Sequence, residues 1–146
     1  MCGITGAIAF TENGRRVLAK VETATLCIAK RGPDGSGVFR NEFLAFGHRR
    51  LSVIDTSSAA SQPMEDASGR YVIVFNGEFF NYGQHRKYLL QKGVQLKNES
   101  DTEVLLNLYI LEGPGCLSKV NGFFALAIYD KLEETVFIAR DRMGVK

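Results

Sequence analysis

The sequence predicts an α+β fold built on antiparallel sheets. Three observations lead there: the apolar runs that read as strands fall into hairpins, the helical stretches come in groups, and no regular β-α-β alternation threads the chain. Its 146 residues suit one domain, and 45% apolar with 23% charged residues is an ordinary globular balance.

The elements follow in order. "GITGAIAF" at 3–10 alternates small and apolar residues and reads as a short buried strand. "TENG" reads as a turn. Over 15–30, Val17, Val21, Ala24 and Ile28 recur at helical spacing, with Lys30 and Arg31 suited to the C-terminal end and Gly32 to the stop. Cys27 lies beside that stripe and reads as a core cysteine. "RGPDGSG" is turn-rich. "VFRNEFLAFGHRRLSVID" reads as a hairpin with "RNE" at its tip and a further strand in "LSVID". "TSSAASQPMEDASG" is small and polar, a surface loop. "RYVIVFNGE" is a continuous apolar run that suits a strand buried on both faces. A helix over 82–92 ends at Gly93. In "SDTEVLLNLYILEGPG", Ser100 and Glu103 match a capping box, Val104, Leu105, Leu108 and Leu111 form the stripe, and Gly113-Pro114 stops the helix. "GFFALAIYD" and "TVFIARD", joined by "KLEE", read as a closing hairpin.

Composition removes several functional classes. The formal net charge is +2, and no segment gathers basic residues with interleaved aromatics, so nucleic-acid binding has no electrostatic footprint. No apolar run approaches the roughly 18–20 residues that span a membrane, and the N-terminus does not read as a signal peptide. Three cysteines (Cys2, Cys27 and Cys116), widely spaced and without a C-x-x-C pair, argue against a disulfide framework or a thiolate zinc site. His48 and His85 share no ligand-like spacing with them and read as structural or surface residues. No metal is expected, and a cytoplasmic setting with reduced thiols suits this usage.

Four features carry possible chemistry. Cys2 follows the initiator methionine, whose removal would leave a thiol and an α-amine on one residue. Their ordinary pKa values, about 8.5 and about 7.7–8.0, let the amine take the thiol proton. A chance cysteine on an edge strand is the competing reading. Where the apolar strand meets "FNGE", the Asn76 amide and the Gly77 N–H could form an oxyanion hole, although Asn-Gly is also a common hairpin turn. Arg49 and Arg50 precede "LSVID"; one could fork a carboxylate, or both could be solvated. Asp101 follows the N-cap Ser100, where it complements the helix dipole or grips a substrate ammonium. Together a nucleophile with its base, an oxyanion pair, a carboxylate binder and an ammonium binder suit an amino-acid amide, and glutamine is the obvious one.

The strings "MCGITG", "RGPD", "HRRLSVID", "SQPM", "FNGEFFN", "SDTEVLL" and "RDRMGVK", in this order over essentially the whole chain, resemble the glutaminase domain of class II glutamine amidotransferases, on the branch of the glutamine-hydrolysing asparagine synthetases. The resemblance implies an N-terminal nucleophile hydrolase fold, a four-layer αββα sandwich with two antiparallel sheets. It implies Cys2 as nucleophile, Asn76 and Gly77 as oxyanion hole, Arg50 on the substrate α-carboxylate and Asp101 on the α-ammonium. Glu78 and the backbone of Leu51, Ser52, Val53 and Ile54 would line the pocket. Residues 1–146 would then be a glutaminase domain without its final strands. The ATP-dependent synthetase domain, with ATP and magnesium as its cofactors, would lie outside the chain; this domain itself would need none. The unpaired sheet edge would admit a homodimer. Two alternatives stand beside this: a glutaminase module serving another acceptor, a sugar or another carboxylic acid, and a non-catalytic domain keeping the fold. A thiol-redox protein lacks a second cysteine placed to resolve a disulfide.

Overall fold

Antiparallel pairing organises both halves of the chain. The computed structural model describes residues 2–146, which divide into two units. One holds residues 2–53 with Ser61–Pro63; the other holds Ile54–Ala60 with Met64–Lys146. The α+β class with two antiparallel sheets is borne out.

In the first unit, β1 (Gly3–Ile8), β2 (Gly35–Arg40) and β3 (Leu44–Arg50) form a sheet in the order β1-β3-β2. The β2–β3 hairpin turns at Asn41, whose Oδ1 accepts the N–H groups of Phe43 and Leu44 at 2.8 and 2.9 Å. The predicted turn at "TENG" is instead the start of α1 (Glu12–Val17), because the Thr11 hydroxyl accepts the Gly14 N–H and caps it. A second helix, α2 (Lys20–Cys27), follows a break at residues 18–19, and that break resets the helical phase. The buried face is therefore Leu18, Val21 and Thr25, while Val17, Ala24 and Cys27 are exposed. Cys27 is not a core residue. Thr25 is tolerated inside because its hydroxyl donates to Val21 O at 2.7 Å and so accepts from the Thr5 hydroxyl, also at 2.7 Å.

In the second unit, β4 (Met64–Glu65), β5 (Tyr71–Phe79), β6 (Gly122–Asp130) and β7 (Thr135–Arg140) are paired in that order. Residues 72–75 of β5 are fully buried, as the apolar run requires. Ile73, Phe75 and Phe79 of β5, with Leu126 and Ile128 of β6, share one core with Leu89 of α3 (Tyr82–Gln91) and Val104, Leu105 and Leu108 of α4 (Asp101–Glu112). Leu111 lies outside it and is exposed. At the far end of the sheet, Arg70 forks the Asp130 carboxylate at 2.8 and 2.6 Å, which holds that carboxyl far below the usual range.

Two further expectations change. "LSVID" is not a strand: β3 ends at Arg50, and the Ser52 N–H goes to the Asp34 carboxylate at 2.8 Å rather than to a ladder. The capping box is half formed. Ser100 Oγ accepts the Glu103 N–H at 3.2 Å, but the Glu103 carboxylate accepts the N–H groups of Lys97 and Asn98 at 2.8 and 2.9 Å instead of that of Ser100.

A Cβ on Gly47 would overlap the hydroxyls of both Thr5 and Thr25, so α2 sits on β3 only because this residue lacks a side chain. Gly47→Ala is expected to cost about 1–3 kcal/mol through overpacking. The check is urea unfolding: the midpoint falls with the slope unchanged, and an unmoved midpoint contradicts the close approach.

Candidate active site

The predicted site residues fall in both units. In the first, the alternation of strand faces decides which side chains meet. Gly3, Thr5, Ala45 and Gly47 face α2, since Thr5 bonds Thr25 and a Cβ on Gly3 would meet Ile28. Ile4 lies opposite His48 on the other face, and the same alternation assigns Cys2 and Arg50 to that face at the same end of the sheet. The Cys2 sulfur lies 3.4 Å from the Leu51 N–H, which donates to it, and 3.6 Å from Leu51 O. Cys2, Arg50 and Leu51 are thus brought together. Arg49 is turned away: its Nε donates to Gly32 O at 3.0 Å. Ser52 and Val53 continue the loop, with Val53 exposed, and Ile54 begins the stretch assigned to the second unit.

The structure adds a residue that sequence reasoning took for a helix end. Arg31 Nε donates to the Cys2 carbonyl at 3.2 Å, holding the backbone that carries the thiol. Its position at the head of "RGPD" was the available signal. The predicted loss of Met1 concerns a residue outside the described ones.

In the second unit, Asn76 and Gly77 do not form a turn. They lie inside β5, opposite Ala125 and Phe124, and the strand runs on to Phe79. Hydrogen-bond alternation along β5 then assigns the Gly77 N–H. Phe124 directs its N–H and C=O to Asp141, so the Gly77–Phe124 pair exchanges no backbone bond across β5–β6. The odd-numbered N–H groups of β5 point to its other edge. There Ile73 pairs with Met64 at the end of β4, and the Phe79 N–H donates to Asp101 Oδ2 at 3.3 Å. Between these two, the Gly77 N–H lies on an edge that β4 no longer covers. Asn76 and Glu78, of opposite parity in side chain, share the face of β5 turned away from α3 and α4.

Asp101, the first residue of α4, is only 7% exposed. Burial is the main cause that pushes its carboxyl from 3.8 up to about 6; the Phe79 N–H works against this, and the Glu78 charge adds to it. Among the described residues no cationic side chain forms an ion pair with it. A buried carboxylate beside a second one, with a main-chain donor on one oxygen, is arranged for a cation from outside the protein. Cys116 contrasts with this: burial in the core pushes its thiol up to about 11, which removes it as a nucleophile at neutral pH. Among the described residues no group of three His, Cys, Asp or Glu side chains could hold a metal. Nor is any helix long and apolar enough to cross a membrane.

The raised Asp101 carboxyl has a measurable consequence. The folded state holds this proton more tightly than the unfolded chain, so stability is lost as pH rises from about 4 to about 6 and then levels off. A displacement of this size corresponds to roughly 3 kcal/mol. Asp101→Asn is therefore expected to be more stable than the parent at pH 7.5, with the difference vanishing near pH 4. Paired thermal melts across that range check it; a constant difference would contradict the assignment.

Comparison with known proteins identifies the family. All 146 residues match the model of the family described as the glutamine amidotransferase domain. The chain is 40% identical over 148 residues to "Asparagine synthetase [glutamine-hydrolyzing] 3" of Bacillus subtilis, covering all of this chain and 24% of that protein. It is 33% identical over 157 residues to "Amidase chry2" of Gibberella zeae, covering all of this chain and 23% of that protein. Among solved structures, the glutamine phosphoribosylpyrophosphate amidotransferase of B. subtilis, complexed with ADP and GMP, superposes with a TM-score of 0.56 at 27% identity, over 67% of this chain and 23% of that one. The chain spans about a quarter of the length of the curated relatives it matches. On the full-length match of its 146 residues, the chain belongs to the glutamine amidotransferase domain family.

Proposed function

We propose that this domain hydrolyses glutamine to glutamate and ammonia through a thioester on Cys2. The observation that carries the reading is the β5 edge, where a buried carboxylate without a cation, Asp101, stands two residues from the free-edge N–H of Gly77. An ammonium for Asp101 and an oxyanion for Gly77 are what a glutamine α-amine and side-chain amide would supply.

In this mechanism Met1 is removed and the Cys2 amine accepts the thiol proton. The sulfur attacks the side-chain carbonyl carbon, and the oxygen takes the negative charge toward the Asn76 amide and the Gly77 N–H. Collapse breaks the carbon–nitrogen bond and the amine returns its proton to the leaving ammonia. Water then cleaves the thioester, releasing glutamate and the free thiol. Arg50 binds the substrate carboxylate as a planar fork, Asp101 binds the ammonium, and Glu78 with the backbone of Leu51, Ser52, Val53 and Ile54 bounds the pocket. The support for Arg50 over Arg49 is strand alternation, which assigns Arg50 to the face and end of the sheet that carry Cys2 and Arg49 to the opposite face, where its Nε meets Gly32 O.

The ammonia would pass to a synthetase part of the same protein that makes asparagine from aspartate, using ATP and magnesium there. The relatives named glutamine-hydrolysing asparagine synthetases support this, each about four times as long as the chain. The setting would be cytoplasmic. A different acceptor is the second reading, favoured by the similarity to "Amidase chry2" and to an amidotransferase named for phosphoribosylpyrophosphate. Asparagine formation from glutamine, aspartate and ATP by the intact protein separates the two.

Exposure to a diazoketone analogue of glutamine, followed by peptide mass spectrometry, should place a single adduct on a Cys2 that has lost Met1. Glutamine hydrolysis that persists in Cys2→Ala would sink the mechanism. Asn76→Ala is expected to lower kcat about 10²–10³-fold with little change in KM. KM for glutamine should rise as pH falls through about 6, where Asp101 takes up its proton, and Asp101→Asn should show a high KM with no such rise.

A further inference from the structure

Phe124 lies directly opposite Gly77, and the β6–β7 ladder does not hold it. That ladder ends at the pair of Ala125 and Arg140. One residue further, Asp141 takes over with two different groups. Its main-chain N–H donates to Phe124 O at 2.8 Å, and its Oδ2 accepts the Phe124 N–H at 3.2 Å. A single residue thus satisfies both backbone groups of Phe124. The same carboxylate accepts the N–H of Val145 on Oδ1 at 3.0 Å and that of Lys146 on Oδ2 at 3.1 Å. Asp141 is buried, and these donors, led by Val145, hold its carboxyl below the usual carboxylate range.

What Phe124 does, Gly77 feels. A Cβ on Gly77 would overlap Phe123 O and come within 2.8 Å of Phe124 Cα and Cβ, so the two strands touch here without side chains between them. Displacement of Phe124 therefore moves Gly77 as well. The Gly77 N–H points away from this contact, to the far edge of β5, and a donor stabilises an oxyanion only within about 2.7–3.1 Å of it.

We propose that Asp141 is a positioning residue for amide hydrolysis: by clamping both backbone groups of Phe124 it sets the location of the Gly77 N–H. The proposal rests on the reading of Gly77 as an oxyanion donor. A side chain that merely finishes a strand would affect all ligands alike. Asp141 should instead affect the charged tetrahedral state and spare the ground state. Alanine at this position removes the oxygen that receives the Phe124 N–H, so it breaks one side of the clamp.

The test uses the intact protein and two ligands: an aldehyde analogue of glutamine, which forms a tetrahedral adduct with the thiol, and L-glutamate, which does not. Rates are normalised to the Cys2 sites that the diazoketone labels. Asp141→Ala is expected to lower kcat about 10- to 100-fold with KM within about twofold. The inhibition constant of the aldehyde should rise by the same factor while that of L-glutamate stays within about twofold. Asp141→Glu keeps the charge one methylene further out and should fall between the two. It carries the same test if the alanine variant does not fold. A parent protein that neither hydrolyses glutamine nor binds the aldehyde overturns the amidotransferase reading and this proposal with it. A parent that does both, with variants unchanged or weakened equally for aldehyde and glutamate, overturns the positioning role alone.

Discussion

The side-chain-free contact between β5 and β6 at Gly77 is the constraint on which the second unit depends. With Phe123 O and the Phe124 backbone occupying the place of a Cβ, the strands meet more closely than ordinary residues allow. This is the antiparallel pair without backbone bonds between its members, so the Gly77 N–H is released to the other edge of the strand. A strand that packs the core with Ile73, Phe75 and Phe79 therefore also presents a main-chain donor, and the apolar core fixes where that donor stands. The two tasks fall to different residues of the same strand, which is why they coexist.

Buried polar groups, rather than helix propensity, organise the approach to Asp101. Glu103 takes two loop N–H groups, Asn98 donates through its Nδ2 to Ala59 O at 3.0 Å, and Asp55 accepts the Glu99 N–H at 2.9 Å. The segment entering α4 is thus tied to residues 55–59 by side chains whose polar atoms find partners. Asp101 stands apart from this pattern. Its carboxyl is buried with the Phe79 N–H and Thr102 as donors, no cation and a like charge nearby, a local cost to folding of the kind that binding sites carry and structural residues avoid. In the first unit the corresponding economy is seen at Gly47, where the Thr5 hydroxyl donates to that of Thr25 in the space a side chain would need.

Much of this was legible in the sequence because it depends on local rules. Alternation and turn residues locate the β2–β3 and β6–β7 hairpins, and the runs at 71–75 and 101–112 are patterned strongly enough to read as a buried strand and a capped helix. Cys2, Asn76 and Asp101 announce themselves by residue type and position. Where the reading missed, a non-local or side-chain bond had intervened. The break at 18–19 moved the buried face from Val17 and Ala24 to Leu18 and Thr25, the Asp34 carboxylate diverted the backbone of "LSVID", and Lys97 and Asn98 claimed the Glu103 carboxylate.

The sequence by itself determined the fold class, most of the strands and helices and the chemical types of the candidate site residues, since these follow from periodicity and from what a thiol, an amide or a carboxylate can do. Tertiary structure alone decided that Asn-Gly is strand and not turn, that Arg49 rather than Arg50 is engaged by Gly32, that Arg31 holds the Cys2 backbone, and that Asp141 grips Phe124. Each of these rests on which partner a backbone or side-chain donor finds across 17 or more residues of chain. Hydrogen bonds are short-ranged and directional, so such a choice is made only when the strands are already in register.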